Sequence, residues 1–120
     1  MAYLLAQAGL TVAWWVGLVS SARFRGWFEL ESAQPQVLDA FVVADLIVFV
    51  GGSVVAGIMI ARRSAVASLA TAATAGGAAY ATLYLAAWVI AGGHGWLGLV
   101  PMTAATVITT AIALWVSAER

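Results

Sequence analysis

The chain has 120 residues, of which 64% are hydrophobic and 8% charged, against roughly 25% charged in an ordinary soluble domain. A soluble fold of this length has too little interior to hide that much apolar surface, and five arginines against five acids, with no lysine, give no electrostatic hold on nucleic acid. The absence of cysteine excludes disulfides, a thiolate metal site and a cysteine nucleophile.

The apolar pattern predicts an all-α polytopic membrane protein, one domain spanning residues 1–120 and built as a bundle of four transmembrane helices. The first 22 residues carry no formal charge, and neither do the 55 from Ser64 to Ala118, whereas one helical crossing needs about 20. The first span is expected at about residues 4–22. Ser20 and Ala22 resemble a cleavage site after an apolar stretch, but no basic segment precedes them and the stretch exceeds a signal-peptide core, so the helix is expected to be retained. Arg23 to Glu31 then mixes aromatics with both charge signs, as a segment lying in the membrane interface does.

Pro35 suits the first position of a helix and Asp39 its positive end, which starts a second span at about 36–61. Arg62, Arg63 and Ser64 form a tight turn into a third span at about 65–91. Gly92, Gly93, His94 and Gly95 break it, and the fourth span runs from about 97 to 117 with Pro101 in its first turn. Both termini and the Arg62 turn then share one side, and counting arginines favours that side as cytoplasmic by three to two. So narrow a margin is also compatible with dual insertion and an antiparallel homodimer. Lysine-free, Ala/Gly/Val/Arg-rich usage points to a GC-rich bacterial genome and hence a bacterial inner membrane.

The packing surfaces are graded. Gly51, Gly52, Ser53, Ala56 and Gly57 in the second span face a third span that is nearly all Ala, Ser, Thr and Gly up to Ala79, and small residues let backbones approach. The cytoplasmic half of that hairpin is expected to be tight. On the other side Tyr80, Tyr84 and Trp88 recur every four residues, and their bulk is expected to hold the helices apart.

Asp45 is the strongest single signal. Nine residues into its span, about 14 Å at 1.5 Å per residue, it lies within the hydrocarbon, where an ionisable group marks a functional site by default. Gly52 and Ala56, at offsets of seven and eleven, place it on an inward face; the structural alternative is a hydrogen bond to a neighbouring helix. Tyr80 and Tyr84 bracket its depth, with Thr103, Thr106, Trp14 and Trp15 near the same level. Asp45, Tyr80, Tyr84, Trp15, Thr103 and Thr106 are therefore the candidate ligand-binding residues, with packing against the third span as the competing role for Trp14 and Trp15. Asp39, Trp27, Phe28 and His94 are candidates for the rim. Asp39, Glu29, Glu31 and His94 share a side, but their spacing matches no metal-ligand pattern, so neither metal nor cofactor is expected. Arg23 or Arg25 is placed to pair with Asp39.

In length and helix count the chain is similar to small multidrug transporters and to dual-topology fluoride channels. It lacks the first-span glutamate of the former and the arginine-containing glycine motif of the latter. An acid among aromatics also resembles membrane sterol isomerases and related lipid-binding helical proteins, without a shared run of residues, so no family is assigned. The expected function is binding of a hydrophobic small molecule or membrane lipid in an outer-leaflet-side cavity around Asp45. The alternatives are an accessory subunit docked in a larger membrane complex, and an enzyme or proton-coupled transporter in which Asp45 exchanges the proton.

Overall fold

A computed structural model describes residues 1–29, 35–92 and 95–119. It is an all-α four-helix bundle, with no strand among the described residues. Four stretches are long and apolar enough to cross a membrane, namely Ala2–Ser20, Leu38–Ala61, Ala67–Gly92 and Trp96–Ala118. The first span is α1 (Ala2–Ser20), and a short α2 (Ala22–Gly26) follows it. The second span is composite: α3 (Pro35–Asp45), a π-helical segment (Leu46–Gly52) and α4 (Ser53–Ala61). The third is α5 (Ala67–Gly92) and the fourth α6 (Trp96–Ala118). At 26 residues α5 is about 39 Å long, enough to cross a hydrocarbon core of about 30 Å.

Each boundary has a local cause. Ser21 leaves helical geometry at the end of α1, and its hydroxyl accepts the Phe24 N–H at 3.2 Å, capping α2. Phe24 folds back against Gly17, where a Cβ would lie 3.0 Å from the ring. The interfacial segment is thus a short helix doubled onto the first span. Arg25 ties it onward, donating from Nε to Glu29 at 2.6 Å and from Nη1 to Asp39 at 2.8 Å. These bonds, that to Asp39 foremost, hold the guanidinium proton above its ordinary affinity.

The turn between the second and third spans is a Schellman motif. Ser64 N–H reaches the Met59 carbonyl at 2.9 Å and Arg63 N–H the Ile60 carbonyl at 3.0 Å, with Arg63 itself left-handed at φ 50°. Gly95, at φ 95°, opens α6 in a conformation that suits glycine. Because α6 starts at Trp96, Pro101 falls in its second turn rather than the first. It leaves the Leu97 carbonyl without its usual helical donor.

The second span departs from the regular helix expected over 36–61. Wide i→i+5 turns hold an extra residue and shift the register beyond them. The inward seam accordingly runs through Asp45, Phe49, Ser53, Ala56 and Gly57. Ser53 is fully buried where straight α-periodicity put Gly52. Gly52 instead turns toward the third span, where an added Cβ would meet Thr74 Oγ1 at 2.9 Å; at Gly77 it would meet Val48 Cγ1 at 2.7 Å. The small residues do bring these two helices together.

The third and fourth spans form the most extensive helix pair. Thr82 stitches them, lying 2.7 Å from the Thr106 hydroxyl and donating to the Met102 carbonyl at 3.3 Å. Phe49, Ala78 and Met102 make the apolar centre, bringing together the second, third and fourth spans. The bundle measures 46 × 28 × 17 Å in Cα extents.

Candidate functional site

Asp45 closes α3 where the π-helical segment begins, and it is 3% exposed. π-Helical turns inside α-helices recur at functional sites because they re-aim side chains at a cost in hydrogen-bond geometry. Here the wide turn begins at the acid and puts Phe49 and Ser53 below it on the same seam. Trp15, 5% exposed on the first span, donates its indole Nε1–H to Asp45 Oδ2 at 3.0 Å. Oδ1 is equally buried and has no hydrogen-bond partner among the described residues. An unmet buried polar atom costs about 1–3 kcal/mol, so this one needs a reason.

Two cavities flank the acid, and Asp45 and Phe49 line both. One, of about 440 Å³, lies between the second and third spans and is bounded also by Phe41, Gly77, Tyr80 and Tyr84. Two of its aromatic rings meet, Phe41 and Tyr84, with centres 5.7 Å apart, and beyond the cavity Tyr84 contacts Trp88 at 6.5 Å. The other, of about 520 Å³, lies between the first and fourth spans along Gln7, Trp14, Phe28 and Met102. Both volumes fall in the range of small-molecule sites, roughly 300–1,000 Å³.

The candidate residues divide accordingly. Asp45, Tyr80 and Tyr84 share the cavity between the second and third spans, and Trp15 stands behind the acid as its hydrogen-bond donor. Trp15 therefore answers to the second span, where packing on the third was the competing expectation. Thr103 and Thr106 border neither cavity: Thr103 is exposed and donates to its own helix at Leu99, and Thr106 is engaged with Thr82. Trp14 packs edge-on against Phe28 at 5.2 Å, and both line the other cavity. Trp27 is exposed, tilted against Phe24 at 5.9 Å, and away from both. Asp39 is occupied by Arg25 at the surface. His94 lies outside the described residues. Among the described residues no group of His, Cys, Asp or Glu could hold a metal.

A second buried polar cluster escaped the sequence reading. Gln7 Nε2–H donates to Ser53 Oγ at 3.0 Å, and Thr109 Oγ1–H donates to Gln7 Oε1 at 3.0 Å. One amide thus ties the first span to the second and fourth. The signal was an amide inside an otherwise apolar first span, which a membrane interior tolerates only when paired. No family model, curated protein or solved structure matches this chain, so its functional reading rests on these residues themselves.

Proposed function

We propose that the protein binds a hydrophobic small molecule, or the apolar portion of a membrane lipid, in the cavity between the second and third spans, with Asp45 as polar anchor and Tyr80 and Tyr84 as wall. The observation that carries this reading is the unpartnered Oδ1 of a carboxylate 3% exposed on the wall of a cavity of about 440 Å³. Apolar walls with few convergent polar groups are the usual make-up of such sites. Tyr80, 75% exposed at the cavity edge, leaves a lateral opening that in a bilayer faces acyl chains.

Native mass spectrometry with lipid extraction tests the reading. Wild-type protein should carry a lipophilic molecule that Asp45→Asn loses while staying folded, because an asparagine carbonyl still accepts from Trp15. The same molecule retained by the variant, or none on the wild type, would refute the reading. The same masses separate a monomer or homodimer from a larger complex. In a cell membrane, three arginines on the face of the termini against two on the other favour the orientation with both termini in the cytoplasm. The site then lies toward the outer leaflet.

A further inference from the structure

We infer that the ligand of this site is a lipophilic amine in its protonated form, whose N–H donates to Asp45 Oδ1 and whose apolar body lies against Phe41, Tyr80 and Tyr84. The inference rests on reading the cavity as a hydrophobic-ligand site, and it adds the charge.

Asp45 is the one formal charge deep in the four spans. Every arginine, at positions 23, 25, 62, 63 and 120, lies outside them, and there is no lysine. A second copy of the chain alongside would bring no lysine or arginine within its spans either. The acid's sole described polar partner is a neutral indole. An ionised carboxylate at that depth is costly unless paired, and its counter-charge must come from outside the protein.

Three sources of positive charge can be compared. A proton removes the charge but leaves the new hydroxyl without an acceptor, since Oδ1 has no partner of either kind among the described residues. A hard metal ion wants six or more oxygen ligands, and no second carboxylate or histidine joins Asp45 among the described residues. An organic ammonium supplies charge and N–H together and needs no further oxygen. The cavity suits it, because Phe41, Phe49, Tyr80 and Tyr84 bound the same space as the acid, and aromatic rings attract cations. The Trp15 N–H, a positive dipole end, occupies Oδ2 and leaves Oδ1 for the ammonium. Of the two cavities that Asp45 borders, the one between the second and third spans is assigned to the cation, because Phe41, Tyr80 and Tyr84 share its wall with the acid.

The test needs no variant at its core. Purified wild-type protein in uncharged maltoside micelles is titrated calorimetrically with phenylpropylammonium and with butylbenzene, which puts a methyl group where the amine was. The ammonium should bind about tenfold more tightly. Asp45→Asn should bring the two within about twofold by weakening the ammonium alone. Tyr84→Leu removes part of the wall for both ligands but should weaken the ammonium about threefold more than the hydrocarbon, a selectivity that general loss of packing would not produce. Equal binding of the pair to wild type overturns the charge inference and leaves the hydrophobic-ligand reading standing. Binding of neither, with no lipophile on the purified protein, overturns both. If the inference holds, molecules extracted from the wild type show whether the amine belongs to a lipid or to a free compound.

Discussion

Among the described residues the indole of Trp15 is the one hydrogen-bond donor to the Asp45 carboxylate, and the price of losing it can be set against a neighbouring network. Trp15→Phe keeps an aromatic ring but leaves both carboxylate oxygens without a described donor. It should cost about 1–3 kcal/mol, read by reversible unfolding in mixed micelles. Gln7→Leu removes two buried hydrogen bonds yet should cost only about 1 kcal/mol. The hydroxyls of Ser53 and Thr109 can turn to carbonyls of their own helices, as those of Thr71, Thr74, Thr103 and Ser117 already do. A carboxylate has no such retreat. Should Gln7→Leu prove the more damaging, the cluster around Gln7 rather than Asp45 would organise the bundle centre.

Between elements, the contact of the second and third spans depends on two glycines whose neighbours differ from those of glycines nearby. A Cβ at Gly77 would stand 2.7 Å from Val48 Cγ1, while at Gly76 it would find nothing within 4 Å. Valine is stiff at χ1, so Gly77→Ala should push the helices apart and cost about 1–3 kcal/mol. Gly76→Ala should be neutral or stabilising by up to about 1 kcal/mol. Equal effects of the two in thermal unfolding would mean that the close approach carries no energy. At the turn, Arg63 sits at φ 50°, where a residue with a Cβ is strained by about 1–2 kcal/mol. Arg63→Gly should raise the melting temperature, and a fall would show that the arginine side chain contributes more than its backbone costs. The π-helical segment belongs to this scale too. Its extra residue moved the seam from Gly52 to Ser53, a displacement that α-periodicity could not foresee.

At the scale of the whole molecule, the absence of cysteine makes orientation directly measurable. With both termini cytoplasmic, Gly26→Cys should react with a membrane-impermeant maleimide in intact cells, and Ser64→Cys only after lysis. Labelling of both in intact cells would indicate dual insertion. The four spans, their order and the place of Asp45 within the second were legible in the sequence, because length and apolarity are properties of contiguous residues and a bilayer imposes them one helix at a time. Tyr80 and Tyr84 could be placed beside Asp45 by depth alone. Thr103 and Thr106 could not, since depth says nothing of which way a helix is turned, and α6 turns one to its own surface and the other to Thr82. Tertiary structure alone decided that Trp15 is the acid's donor, that Gln7 ties three spans together, and that one carboxylate borders two cavities. Each of these sets side chains from different helices within about 3 Å of one another or around a shared space, and that requires the relative rotation of helices. The rotation is fixed by packing between residues far apart in the chain, which no local pattern records.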